Sequence, residues 1–359
     1  MQNIFFTSLL LIFISCSIKE VENKENLCTT SNSYAKNFKI YYKNQKPIIE
    51  VYNYYQGARN EKITYDLNKI NITIPVKKII LLSSTYIGFI EKLEELSSIA
   101  GISGLKTIYN KKIKELVKNG KIQEIGYEQN LLYETILNIK PDIVFAYSVG
   151  KENLPYIKKI ESLGIPVIFT AEYLENHPLG RSEWIKFFSV FFNKEKQADS
   201  IFKDIEKKYL NVKNKISNSS KPLILLNYPY NGVWYLPNNH SYFVQLIRDA
   251  GGHYIFDSLT EKTIYPMNEE WVIYYAKEVD VWINIGQIIS KKEINFDAFK
   301  NIKAFKEGRL YNHNLKIDHQ GANEFWEKSI VEPNYILEDL WNIFHNPDSN
   351  FTYHYYKKL

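Results

Sequence analysis

Two α/β lobes built on Rossmann-like parallel sheets, joined by a long connecting helix and preceded by a small N-terminal β extension, are the fold the sequence predicts. Three observations predict it. Tyr133–Tyr147 (YETILNIKPDIVFAY) and Glu270–Gly286 (EWVIYYAKEVDVWINIG) each run from a glutamate through helically spaced apolar residues to an Asp and then an unbroken apolar run. The runs Ile143–Phe145 and Val281–Ile283 suit strands covered on both faces, so each stretch is a helix feeding a parallel strand. Second, these stretches fall in separate halves of a 359-residue chain, long enough for two cores of ordinary size. Third, no Gly or Pro interrupts the periodic run 182–215, which predicts one long helix or two abutting ones. Lobes of this kind offer the carboxyl ends of their strands to a shared gap, which suggests a ligand clamp before an enzyme.

The elements follow in order. Residues 1–15 read as a signal peptide: Ile4–Ile14 is apolar, too short to remain as a bilayer span, and ends at Phe13-Ile14-Ser15-Cys16. This is similar to a bacterial lipoprotein signal, with cleavage before Cys16 and lipidation of its thiol; the alternative is a plain secretory signal. Residues 16–35 are polar, charged and non-periodic, a flexible lipidated tether. With Cys16 lipidated, Cys28 has no partner and the domain folds without a disulfide. Residues 36–75 alternate short β-rich runs with polar turns, a β extension of the N-lobe. Residues 76–180 form the N-lobe: a strand at Val76–Leu82, Ser83-Ser84-Thr85, a hydroxyl-capped helix at Tyr86–Leu96, and further strands at Ile99–Gly104, Ile143–Tyr147 and Val167–Thr170. Residues 181–218 are the connecting helix, which limits lobe closure. The strand–helix alternation restarts over 219–346 as the C-lobe, and 347–359 is a tail.

Composition excludes several classes. A net charge of +5, spread along the chain without a cluster, makes no nucleic-acid footprint. Seven scattered histidines, of which only His177 follows a first-lobe strand, do not make a bare zinc or manganese site. The polar cluster Asp318-His319, Glu324 and Glu327 reads as the cap of a helix starting near Asn323; no Gly-x-Ser-x-Gly and no phosphate-cradling glycine loop accompanies it.

Ser83-Ser84-Thr85 after the first strand, Glu134 ahead of Lys140-Pro141-Asp142, Leu163-Gly164-Ile165-Pro166-Val167, Asp249-Ala250-Gly251-Gly252 and Ala276–Gly286 occur in a telling order. From Val76 to about His345 the chain resembles an ABC-transporter substrate-binding protein with a helical backbone between lobes, the group that binds ferric siderophores, haem and cobalamin. Glu172–Trp184 and Asn323–His345 look like a subgroup found in Bacteroidetes-type bacteria. The resemblance implies that Glu134 and Glu270 (or its neighbour Glu269) dock onto arginines of the permease, and that Tyr147 meets the ligand. Tyr86, Tyr173, Tyr228, Tyr230, Trp234 and Tyr265 fall in loops expected to face the gap, where flat rings stack on a macrocycle or catecholate. Arg181, one of four arginines, is a candidate for a bidentate contact to a carboxylate-bearing ligand; equally, it ties its loop to Glu172, Glu175 or Glu183.

The resulting expectation is a monomeric, lipid-anchored solute-binding protein on the periplasmic side of the cell envelope. It carries no resident cofactor and hands a ferric siderophore, haem or cobalamin-type ligand to an ABC importer. Two rivals remain: a chelatase-like enzyme, and a surface-exposed lipoprotein serving an outer-membrane receptor, suggested by the acidic stretch at Lys19-Glu20-Val21-Glu22.

Overall fold

The computed structural model describes residues 28–44, 46–70, 72–216, 221–288, 290–347 and 350–359. The signal-peptide and lipidation expectations, Cys16 included, lie outside these residues.

The chain opens with a four-stranded antiparallel sheet in sequence order: β1 (Cys28–Thr30), β2 (Phe38–Lys43), β3 (Lys46–Tyr52) and β4 (Lys62–Asp66). The expected tether therefore ends sooner than residue 35. Two buried carboxylates, Glu175 just ahead of the connector and Glu183 in its first helix, hold the link between β1 and β2. Glu183 accepts the backbone N–H groups of Ser33 (2.9 Å), Tyr34 (2.8 Å) and Ala35 (2.8 Å), and Glu175 those of Lys36 (2.9 Å) and Asn37 (2.8 Å). Hydrogen bonds to an ionised acceptor are each worth about 1.5–3 kcal/mol, so this segment is ordered by its partner rather than by its own apolar content.

The N-lobe sheet has five parallel strands in the order β7-β6-β5-β8-β9: β5 (Ile79–Leu81), β6 (Ile99–Ile102), β7 (Gln123–Glu124), β8 (Ile143–Ala146) and β9 (Val167–Phe169). Alternate residues feed opposite cores. Ile79, Leu81, Ile143, Phe145 and Ile168 join the larger core, whereas Ile80, Val144, Ala146, Val167 and Phe169 build a separate one on the other face. That two-sided burial is why the strands read as unbroken apolar runs. The helix after β5 spans Tyr86–Lys92, but no hydroxyl caps it. Thr85 Oγ1 is turned instead to the carboxylate of Glu172 (3.2 Å).

In the C-lobe the order is β12-β10-β14-β15-β16: β10 (Leu223–Leu226), β12 (His253–Tyr254), β14 (Val281–Ile283) and β15 (Leu310–Asn312) are parallel, and β16 (Lys357–Lys358) adds an antiparallel edge. A two-stranded ribbon, β11 (Val233–Pro237) with β13 (Ile264–Asn268), stands beside it. The expected tail at 347–359 is thus part of the lobe. Asp339 accepts the backbone N–H groups of His354 (2.8 Å), Tyr355 (2.7 Å) and Tyr356 (3.0 Å), which buries both tyrosines.

The motif written twice in the sequence is one joint used twice. Asp142, just ahead of β8, accepts the N–H groups of Lys77 (2.6 Å) and Lys78 (2.9 Å) leading into β5. Asp280, just ahead of β14, accepts the N–H of Leu223 at the start of β10 (2.8 Å). Each Asp ties its strand to the neighbouring one and sets the register.

The connector is three helices rather than one or two: Pro178–Glu183, Ile185–Val190 and Glu195–Lys213. Trp184, Phe187, Phe188 and Phe191 are wholly buried, so the middle helix is enclosed except on the side of the half-buried Lys186. Asn193, in the left-handed region (φ 56°), turns the chain into the last and longest helix.

Candidate ligand-binding cleft

Three strands of the C-lobe end on asparagines. Asn227 follows β10, Asn284 follows β14, and Asn312 closes β15 ahead of His313 and Asn314. Asn227 and Asn284 adopt left-handed backbone (φ 69° and 59°), which Asn tolerates better than most residues and which turns the chain sharply away from the sheet. At these carboxyl ends opens a cleft of about 660 Å³. Asn227, Asn284, Gln287, His313, Asn314 and Asn323 line it with Phe243 and Trp326, and the N-lobe closes one side with Lys106 and Thr107 from the loop after β6. This is where open α/β sheets bind ligands, and the volume suits a sizeable small molecule.

The wall is rigid. The ring of His313 is stacked on Phe325 (centroids 4.2 Å apart, 14° between planes) and meets Trp326 edge-on at 5.0 Å. Burial among these rings pushes His313 down to about 4, so the imidazole is neutral at physiological pH. Asn314 Nδ2 donates to the Ile288 carbonyl (2.9 Å), and Asn284 Oδ1 accepts from the Tyr356 hydroxyl (2.7 Å). Three lining atoms, Asn284 Nδ2, His313 Nδ1 and Asn314 Oδ1, are buried without a hydrogen-bond partner among the described residues. An unpaired buried polar group costs about 1–3 kcal/mol, which a bound partner recovers.

None of the residues expected to touch ligand lines this cleft. Tyr86 is wholly buried, its hydroxyl paired with Thr170 Oγ1 (2.8 Å), because the helix after β5 turns it into the larger core. Trp234 is likewise interior, its indole N–H donating to the Leu226 carbonyl (2.8 Å). Arg181 spends its donors on backbone carbonyls, Nε on Glu175 (3.1 Å) and Nη2 on Tyr173 (2.7 Å). Its guanidinium lies 3.8 Å from the centroid of Tyr242, the residue before the wall's Phe243, so it braces the connector against the C-lobe. Tyr173 donates to the Ser148 carbonyl (2.5 Å). Tyr265 accepts the N–H groups of Glu261 (2.7 Å) and Lys262 (2.9 Å), and Tyr230 is exposed at the base of the Asn231-Gly232 turn. Tyr228 is stacked on Trp282. Tyr147 does stand at the carboxyl end of β8, half-buried beside Tyr127, Tyr156 and Tyr173, in a depression that shares no lining residue with this cleft. His177 caps the first connector helix, accepting the Leu179 N–H (3.1 Å). The cleft's own signal in the sequence was the asparagine closing each of three apolar runs.

Beside the cleft the lobes are pinned together. The carboxylate of Glu327 accepts the N–H groups of Tyr109 and Asn110 in the N-lobe, the latter at 2.9 Å. Lys114 pairs with Asp318 at 2.5 Å and Lys92 with Glu332 at 3.2 Å. The helix is capped by Asn323, which accepts the Phe325 N–H (3.0 Å), and not by the acidic cluster read as its cap, two of whose acids, Asp318 and Glu327, instead face the other lobe. Burial pushes Glu327 up to about 7, against the pull of its two N–H partners. The folded form therefore holds its proton more tightly than the unfolded chain, whose carboxyl titrates near 4.5. Glu327's contribution to stability is full below about 4.5 and is lost as pH rises to about 7. Relative to Glu327→Gln, the wild-type melting midpoint should fall between pH 5 and pH 8; parallel midpoint curves for the two proteins would refute this.

Glu134 and Glu270 are exposed, each in the first turn of a seven-residue helix, Tyr133–Ile139 and Glu269–Tyr275. Asn268 caps the second by accepting the Glu270 N–H (2.8 Å), and Glu269 is half-buried.

The model of a family described as periplasmic binding protein matches residues 79–314. The chain belongs to the periplasmic binding protein family. This binding protein is 32% identical to an uncharacterized lipoprotein of Methanocaldococcus jannaschii over 76% of its own length and 66% of the relative's. It is 30% identical to a second lipoprotein of that organism, covering 67% of this chain and 64% of the other. Among solved structures its fold matches a periplasmic heme binding protein of Pseudomonas aeruginosa (TM-score 0.58, 14% identity, 78% and 97% of the chains). It also matches a periplasmic vitamin B12 binding protein of Vibrio cholerae (TM-score 0.53, 12% identity, 75% and 96%). No helix among the described residues is long and apolar enough to cross a membrane.

Proposed function

We propose that this protein captures a ferric siderophore, haem or cobalamin-type ligand between its lobes and hands it unchanged to the permease of an ABC importer. One observation supports this above the others: the cleft at the strand ends of the C-lobe is bordered by the N-lobe and carries buried polar atoms awaiting partners. Such a site binds; a nucleophile with a matching base is not part of its lining. Glu134 and Glu270, one exposed on each lobe, are the permease contacts in this reading. A lipid on Cys16 would hold the protein, as a monomer, at the periplasmic side of the envelope, in keeping with two relatives that are lipoproteins.

Titrating the purified protein with such ligands, followed by Trp fluorescence, should saturate at one ligand per chain. Trp326, in the cleft wall, is the reporter. Chemical turnover of the ligand would move the protein to the enzyme class.

A further inference from the structure

We infer that the ligand is an uncharged molecule bearing carboxamide or hydroxyl groups, rather than a polyanionic chelate; this rests on reading the cleft as the solute site. Six side-chain amides, those of Asn227, Asn284, Gln287, Asn314, Gln320 and Asn323, line the cleft, and Lys106 is the one formal charge among its lining residues. No arginine is available to it. Arg181 is spent behind the wall, Arg248 pairs with Asp257, Arg309 donates to the Ile343 carbonyl, and Arg59 lies in the segment between β3 and β4. A ligand with two or three negative charges would enter with most of them unneutralised, which is expensive once water is excluded.

The unpartnered atoms make the chemistry more specific. Asn284 and Asn314 are 5% and 4% exposed, and their anchored ends are fixed by Tyr356 and the Ile288 carbonyl. On these two lining residues the amide groups left without a partner among the described residues are one N–H donor, Asn284 Nδ2, and one carbonyl acceptor, Asn314 Oδ1. A carboxylate or catecholate oxygen only accepts, so it can satisfy the first and is repelled by the second. A carboxamide or hydroxyl both donates and accepts, and so complements the pair. His313 does not restore a positive charge, because the surrounding rings keep it neutral, and its Nδ1 offers one more polar contact. Phe243 and Trp326 add apolar wall for the body of such a molecule.

The test is a panel of defined probes on the full-length protein in detergent, read by Trp fluorescence. Cyanocobalamin and a neutral ferric trihydroxamate represent the uncharged class, haemin and a ferric triscatecholate the anionic class. At least one uncharged probe should bind ~10-fold or more tightly than either anionic one, and its Kd should change less than about two-fold between ~20 mM and ~500 mM salt. Asn284→Asp keeps the shape but exchanges the donor for an acceptor. It should weaken the uncharged probe by about 5- to 150-fold, with folding checked by circular dichroism. An anionic probe that binds as tightly, or a Kd that climbs steeply with salt, overturns the inference and leaves solute capture standing. Full affinity in a folded Asn284→Asp protein also overturns it. If no probe binds at ~100 μM, a Kd far above what a capture protein needs, the solute-binding reading falls and this one with it.

Discussion

Solute uptake is expected to fall to background when Glu134 and Glu270 are both replaced by Ala, with ligand affinity unchanged. Each carboxylate is exposed at the start of a short helix, one on each lobe, and neither lines the cleft. Each has apolar neighbours that solvent reaches: Leu132 (49% exposed) and Leu137 (40%) beside Glu134, Trp271 (37%) and Tyr274 (63%) beside Glu270. A carboxylate ringed by apolar surface gains more from an arginine fork than one surrounded by water, because docking dries the pair. Two such contacts fix orientation as well as affinity, so losing both should cost far more than the sum of two surface charges. Transport in cells and ligand titration of the purified double variant are the two measurements. Normal uptake would show that another surface meets the permease, and lost ligand binding would show that the carboxylates belong to the site.

Gly88→Ala should lower the melting midpoint by roughly 1–4 °C and weaken ligand binding. Gly88 lies in the N-lobe helix Tyr86–Lys92, and a Cβ there would stand 2.3 Å from the Glu327 carbonyl oxygen and 3.3 Å from Val331 Cγ2. The first obstacle is backbone, so no rotamer change relieves it. Overpacking of this kind costs about 1–3 kcal/mol, which in a chain of this size gives the quoted shift. The displaced helix, Glu324–Lys328, carries Trp326 of the cleft wall, which is why affinity should fall with stability. A midpoint within about 0.5 °C of wild type would mean that the helices separate freely at this point.

The architecture was legible because burial on both faces of a parallel sheet writes itself as unbroken apolar runs, at Ile143–Ala146 and again at Val281–Ile283. The Asp before each run was visible too, although its role in tying strand to strand was not. The cleft was misread through residue type. Aromatic rings are reasonable ligand platforms, but in a chain with 28 tyrosines the ring alone does not tell wall from core, and Tyr86 and Trp234 are core. Position relative to strand ends was the better guide, and it points to Asn227, Asn284 and Asn314. Of the two readings open for Arg181, the structure favours the tie to its own loop, made to the backbone carbonyls of Glu175 and Tyr173 rather than to a carboxylate. The end of the chain resembled a tail because what orders it, the Asp339 carboxylate, lies in the helix before it and bonds backbone N–H groups, which leave no mark in the sequence.

The five N–H groups of residues 33–37 gripped by Glu183 and Glu175 bear on how this molecule carries mechanical load. A pull on the amino-terminal end that has peeled β1 away meets these carboxylates before it reaches the start of β2. The force is resisted by several bonds strained together, which must fail at once, instead of opening the sheet one rung at a time. A drag that would unzip a free edge strand becomes a shear against the first connector helix and the turn that leads into it.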